Sequence, residues 1–212
     1  MKWIKKIKIL FNHKVLFCDL DGTLIETKSG NTFPINENDW KFKYGIKKAI
    51  QEYNPKYIFI ISNQGGIEKG FVNENKFIAK MAAIVNEIKT WGNFVVDYIY
   101  CTSNDKNNPY RKPNDGMVHD FIYNAGYSLS KKQSLMIGDA SGLDGQFSGS
   151  DLQCAKNAGI RYTDVNYFIE SMCPCAKCFF GNIPCKAGEQ YPNLPCNDSK
   201  KTRLKKVLLY KP

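Results

Sequence analysis

The segment Phe17-Cys18-Asp19-Leu20-Asp21-Gly22-Thr23-Leu24 sets two aspartates two positions apart at the end of an apolar run and follows them with glycine. An isolated pair of carboxylates this close raises its own pKa, so a cation is expected to hold both ionised. Such a pair can cleave a phosphoester, one acid attacking phosphorus and the other protonating the leaving alkoxide. Attack on a dianionic phosphate also needs positive charge around the transferring group. Further polar residues close later apolar runs: Ser62, Asn63 and Gln64 after YIFII, and Asp139 after SLMIG. A calcium loop of the EF-hand type also begins D-x-D, but it needs glycine at its sixth position and glutamate at its twelfth. Those places hold Leu24 and Gly30, and a strand pattern precedes them, which rejects that reading.

Four strand-length apolar runs carry these residues: 14–18, 57–61, 95–101 and 134–138. Several are too continuously apolar for a half-exposed hairpin, so buried parallel strands fit best. Helix-length segments lie between them at 43–53, 73–90, 115–125 and 151–158. In the second, Phe77, Met81, Ile84, Val85 and Ile88 recur at helical spacing and read as core packing, with Asn73 or Asn75 able to cap the start. The alternation predicts an α/β fold with three layers around a parallel sheet. In such sheets ligands bind beyond the carboxyl ends of the strands, where the polar residues above are expected to converge.

Asp19-Leu20-Asp21-Gly22-Thr23-Leu24 closely resembles the first motif of the haloacid dehalogenase superfamily. Ser62, Lys112 within Arg111-Lys112-Pro113, and Gly138-Asp139 stand in order where that superfamily's later motifs belong. The flanks say more. DLDGTLIETKSGNTFPINENDWKF, ISNQGGIEKG, YRKPNDGM and GDASG followed by S-x-x-D look like the 3′-phosphatase domain of polynucleotide kinase-phosphatases, over residues 14–169. The resemblance implies a Rossmann-like haloacid dehalogenase fold. It implies Asp19 as a nucleophile forming an aspartyl-phosphate, Asp21 as proton donor and then base, and Ser62 and Lys112 as phosphoryl ligands. It also implies Mg²⁺ on Asp19, Asp139 and the backbone carbonyl of Asp21. Asp144 and Asp151 are the candidates for a further acid, and Asp151 is equally well explained as a helix N-cap.

On the substrate side the candidates are Gly22, Thr23, Asn63, Gln64, Lys69 and Arg111, with Gly22 expected to let backbone N–H groups approach the phosphate. The implied substrate is a 3′-phosphorylated nucleic acid end, DNA favoured. A small-molecule phosphatase of the histidinol-phosphate or sugar-bisphosphate type is the competing reading, and a binding module that has lost activity is a third. About thirty residues separate the first motif from the second strand, too few for a large cap domain. No G-x-x-x-x-G-K-[ST] occurs, so the kinase half of the bifunctional relatives is not expected.

The 212 residues suit one phosphatase domain, residues 1–170, with a small Cys-rich basic extension, residues 171–212. At 43% hydrophobic and 24% charged, the chain has the composition of a folded globular protein and no run long enough to span a membrane. Lysines interrupt the opening MKWIKKIKIL, unlike a secretory signal, so a cytoplasmic location is expected, or nucleus or host cytoplasm for a eukaryotic or viral protein. The net charge of +10 sits at the ends: residues 1–14 hold five lysines and no acid, residues 173–212 hold eight Lys or Arg against two acids. Basic ends suit a polyanionic partner, although lysines that only maintain solubility explain the charge about as well. Cys18, Cys101 and Cys154 read as buried small hydrophobes. Cys175, Cys178, Cys185 and Cys196, with Cys173 as alternative, could form a structural zinc site; disulfides, an iron–sulfur cluster and free thiols are the other readings. Protein partners are unspecified.

Overall fold

The computed structural model describes residues 15–127 and 129–172. Cys173, Cys175, Cys178, Cys185 and Cys196, the zinc reading and both basic ends lie outside the described residues.

The most apolar run becomes the centre of the sheet. β1 (Val15–Cys18) is buried at every position. It is flanked on both sides by parallel neighbours, β4 (Tyr57–Asn63) with Phe17 opposite Phe59, and β6 (Ser134–Gly138) with Phe17 opposite Met136. β5 (Val95–Cys101) adds outside β4, and β7 (Arg161–Asp164) outside β6, giving the order β5-β4-β1-β6-β7, all parallel. Side chains alternate across it, so Leu16, Cys18, Ile58, Ile60, Leu135 and Ile137 feed one core and Phe17, Phe59, Ile61, Met136 and Tyr162 the other.

Helices cover both faces. α1 (Ile46–Tyr53), α3 (Glu74–Lys89) and α6 (Val165–Met172) pack on the first core; α4 (Gly116–His119), which runs on into a π-helical turn at Asp120–Asn124, and α5 (Ser150–Ala158) pack on the second. α3 has the expected cap and stripe: Asn73 accepts from the backbone N–H of Lys76 at 3.1 Å, and Phe77, Met81, Ile84, Val85 and Ile88 are its buried residues. The second core is tied by Phe59 stacked on Phe121, ring centroids 4.1 Å apart.

Crossover handedness explains the two layers. A chain stepping from β1 to β4 to β5 lays its right-handed crossovers on one face, and the return to β6 and β7 on the other side of β1 lays them on the opposite face. The strand order therefore reverses beside β1, and a crevice opens at the carboxyl ends of β1 and β6. That is the three-layer fold the sequence predicts. Cys18, Cys101 and Cys154 are buried and unbridged.

Two parts differ from the sequence reading. Between β1 and α1 the chain forms a two-residue antiparallel ladder, β2 (Ile25–Glu26) with β3 (Lys41–Phe42), which no apolar run marked. RYTD is a strand and VNYFIESM a helix, neither of them marked by periodicity, and α6 crosses the boundary expected at residue 170. β7 is too polar and short to announce itself: three of its four residues, Arg161, Thr163 and Asp164, are polar, although Thr163 and Asp164 are buried. No helix among the described residues is long and apolar enough to cross a membrane.

Candidate active site

Asp19 follows the last residue of β1, and its N–H donates to Ile137 O at 3.0 Å, extending the ladder to β6 by one residue. Asp139 follows the last residue of β6. Asp151 is the second residue of α5, whose N-cap position is taken by Gly149, so the N-cap reading of Asp151 does not hold. Its side chain turns inward instead: Oδ1 accepts from Lys112 Nζ at 2.8 Å and Oδ2 from the N–H of Ala140 at 3.1 Å. One carboxylate oxygen from each of Asp19, Asp139 and Asp151 lies within 4.8 Å of the others. Asp144 is exposed and outside this group.

Two glycines clear the space. A Cβ at Gly22 would stand 2.1 Å from Asp139 Oδ2, and one at Gly138 would stand 2.3 Å from Asp151 Oδ2. Gly22 also has a φ of +81°, which other residues rarely adopt. Its own N–H is committed to Ile25 O at 2.8 Å, so what Gly22 itself contributes here is clearance for Asp139.

Lys112 is the cation of the cluster. Its Nζ donates to Asp19 Oδ1 at 2.5 Å as well as to Asp151, with 2% of the lysine side chain exposed. Asn63 grips the main chain of this lysine from both ends of its amide: Oδ1 accepts the Lys112 N–H and Nδ2 donates to the Lys112 carbonyl, both at 2.9 Å. Asn63, expected on the substrate side, thus stands behind the lysine and positions it.

Asp21 separates from Asp19. Its side chain is 54% exposed, accepts from Gln64 Nε2 at 2.6 Å and lies 3.9 Å from Lys80 Nζ. The same Gln64 nitrogen donates to Ser62 Oγ at 2.8 Å, so one amide spaces the acid and the buried serine. The like charges that crowd Asp19 are Asp151, on α5, and Asp139, just after β6, and the expectation that Asp21 crowds it is corrected. Thr23, expected on the substrate side, is fully buried with an unpartnered Oγ1. Arg111 donates from Nη1 to Ser103 O at 2.7 Å, and Lys69 is exposed at the end of α2 (Gly65–Glu68). The hydrogen bonds that close the loop after Asp19, from Gly22 N to Ile25 O and from Ile25 N to Leu20 O, bypass the Asp21 carbonyl. Sequence reasoning missed Lys80, beside Asp21, and Lys43, whose charge acts on Asp139. Neither carries a local signal beyond being one lysine among many.

Three acids and one ammonium leave a net charge of −2 when all are ionised. Burial, and then Asp151 and Asp139, push Asp19 up to about 8 against the pull of Lys112. Burial and Asp151 push Asp139 up to about 6. Burial works against the Lys112 charge, but Asp151 and Asp19 outweigh it and raise the lysine, so it stays protonated. A hard oxygen donor set with this charge, in a space that two glycines keep open, fits a divalent cation of the Mg²⁺ type.

The raised acids hold protons that the unfolded chain has already released, so the metal-free fold should lose stability from these groups as pH rises from about 4 to about 8. A divalent cation binds the ionised acids and reverses this. The gain in Tm on adding Mg²⁺ is therefore expected to be larger near pH 8 than near pH 5.5. An equal gain at both values, measured by thermal melting, would detach the acids from metal binding.

A family model described as polynucleotide kinase 3 phosphatase matches residues 14–168. The bifunctional polynucleotide phosphatase/kinase of Schizosaccharomyces pombe is 30% identical over 164 residues, which is 76% of this chain and only 38% of that protein's length. The D-glycero-beta-D-manno-heptose-1,7-bisphosphate 7-phosphatase of Rhodopseudomonas palustris is 30% identical over 126 residues, 55% of this chain and 64% of that protein. In fold, the chain is similar to the crystal structure of a D,D-heptose 1,7-bisphosphate phosphatase from B. bronchiseptica complexed with magnesium and phosphate. The TM-score is 0.56 at 21% identity, over 70% of this chain and 78% of that one.

Proposed function

Because the chain belongs to the polynucleotide kinase 3 phosphatase family, among the haloacid dehalogenase phosphatases, we propose that its site removes the 3′-phosphate from nucleic acid ends, DNA favoured. The observation that carries this reading is the family match over residues 14–168, which spans every acid of the site together with the segment between β1 and α1. That segment supports it physically. It folds as the short β2–β3 ladder and a loop, and Asp21 remains half exposed beside it, so the mouth can admit the end of a polymer. Lys80 and Lys43 add positive charge near Asp21 and Asp139, which suits an anionic chain.

The geometry supports a two-step transfer. Lys112 occupies Oδ1 of Asp19, which leaves Oδ2 to attack phosphorus. As the Asp19–phosphorus bond forms, the bond from phosphorus to the 3′ oxygen breaks, and Asp21 gives its proton to that oxygen. Water then attacks phosphorus, its proton passes to Asp21, and inorganic phosphate leaves with Asp19 restored. Ser62 and Lys112 can donate to the phosphoryl oxygens throughout. Asp19, Asp139 and Asp151 would hold Mg²⁺, with the Asp21 carbonyl as a further oxygen, and the bound cation supplies the positive charge that offsets repulsion between carboxylate and phosphate.

The product is a 3′-hydroxyl of the kind that polymerases and ligases extend or join, which places the enzyme in nucleic acid end processing and repair. A heptose-bisphosphate or histidinol-phosphate phosphatase is the second reading, favoured by the heptose-bisphosphatase relative. Comparing kcat/KM on a 3′-phosphorylated oligonucleotide, histidinol phosphate and heptose bisphosphate, each with and without EDTA, decides between them. The oligonucleotide is expected to be the best substrate and EDTA to stop turnover. A higher kcat/KM on either small molecule would transfer the site to the second reading.

A further inference from the structure

The loop from Asp139 to α5 carries the Asp139 carboxylate at its start and delivers that of Asp151 at its end, and it is fastened at successive residues. Ala140 N–H donates to Asp151 Oδ2, and Ser141 N–H donates to Gln146 Oε1 at 2.7 Å, as does Leu143 N–H at 3.2 Å. The far anchor is Asp164, at the end of β7 and opposite Gly138 in the strand register. It is 3% exposed. Its Oδ2 accepts from Ser141 Oγ at 2.8 Å and from Gln146 Nε2 at 2.7 Å, and its Oδ1 from the N–H of Asn166 at 2.9 Å. The Tyr162 hydroxyl donates to Gly138 O at 3.0 Å, one residue before Asp139, and lies 2.6 Å from Ser141 Oγ, a contact in which either hydroxyl can donate.

A buried carboxylate satisfied by hydrogen bonds is not needed to close the end of a strand, where apolar contacts serve as well or better. What it does supply is direction, because Asp164 accepts while Ser141 and Gln146 donate, and neither can turn over without opposing like groups. Gln146 cannot flip, since its oxygen already serves two backbone N–H groups.

We propose that Asp164, acting through Ser141 and Gln146, is a positioning residue for metal binding: it holds the loop so that the Asp139 carboxylate faces those of Asp19 and Asp151. The inference rests on the reading of those three acids as a divalent cation site. Outer partners of metal ligands typically change affinity by about 10- to 100-fold when replaced. None of these residues is among Asp19, Asp21, Ser62 and Lys112, the groups proposed to meet the phosphate, so their effect belongs in metal affinity.

Asp164→Asn separates this role from plain support. Asparagine still caps α6 through Oδ1 and Asn166. Its Nδ2 then meets two donors, Ser141 and Gln146, and the fastening opens. Thr163→Val is the control, on the same strand and equally buried, with an Oγ1 that has no partner to lose. Mn²⁺ binding is read by electron paramagnetic resonance on the full chain, beside the Mg²⁺ concentration for half-maximal turnover. Asp164→Asn is expected to weaken both by about tenfold or more, with kcat at saturating Mg²⁺ within about threefold of the parent and Thr163→Val unchanged. Unchanged Mn²⁺ affinity in folded Asp164→Asn overturns the proposal. If that variant does not fold, Gln146→Leu gives the same readout from a partly exposed position, and unchanged affinity there overturns the proposal equally. Absence of Mn²⁺ binding by the parent chain would instead overturn the cation-site reading beneath it.

Discussion

Asp19→Asn is expected to lower turnover by on the order of 10⁴- to 10⁶-fold while leaving the fold intact. An amide oxygen is a poor nucleophile, and no neighbouring group can take its place: Asp139 and Asp151 face the same point but are held by the loop and by Lys112. The substitution is nearly isosteric, and Lys112 keeps Asp151 as partner. Because burial and two like charges raise Asp19, removing its charge relieves repulsion in the metal-free protein. The metal-free Tm should therefore be equal to or above the parent's, and the gain on adding Mg²⁺ should shrink. Phosphate release from a 3′-phosphorylated oligonucleotide, with paired melts, checks both halves. Turnover within tenfold of the parent would remove Asp19 as nucleophile.

Lys112→Met should damage both stability and catalysis. The ammonium sits between Asp19 and Asp151 with 2% of its side chain exposed, so deleting it strands these two buried acids without their paired cation. Breaking a buried pair by removing one partner costs about 3–5 kcal/mol. For a domain of this size that corresponds to a fall in Tm of roughly 10 °C. Part of the loss is expected to return on adding Mg²⁺, which restores positive charge to the same acids. Turnover at saturating Mg²⁺ should still fall by about 10²- to 10³-fold, the usual cost of one donor to a developing charge. A variant with parental Tm and kcat would return Lys112 to an ordinary lysine. Asn63→Ala, which frees the main chain of Lys112 while leaving its charge, should show a weaker form of the catalytic loss.

The residues legible without any structure were those whose role is declared by position along the chain. Asp19, Ser62 and Asp139 each sit at or next to the carboxyl end of an apolar run, and the runs at 95–101 and 134–138 form strands with the same bounds in the structure. A strand-length, continuously apolar run flanked by turn residues suits a strand buried on both faces, as β1, β4 and β6 are, so the sheet, its layers and the crevice followed from local pattern. The stripe of α3 was readable for the same reason.

Only the tertiary structure decided how those residues share their tasks. Asp151 looked equally like a helix cap, and what distinguishes it is a contact with Lys112, 39 residues away. Asn63 looked like a ligand to substrate and proved to hold the backbone of that lysine across 49 residues. Asp21 looked like the partner of Asp19, yet its carboxylate goes to Gln64 and Lys80 while Asp139 and Asp151 close on Asp19. Asp164 gave no signal at all, since its partners come from a loop some twenty residues earlier that only the β6–β7 register brings alongside. Periodicity reports which face of an element is buried, a property of neighbours in sequence. Which acid meets which cation depends on strand register and crossover, and these are fixed by packing between segments far apart in the chain.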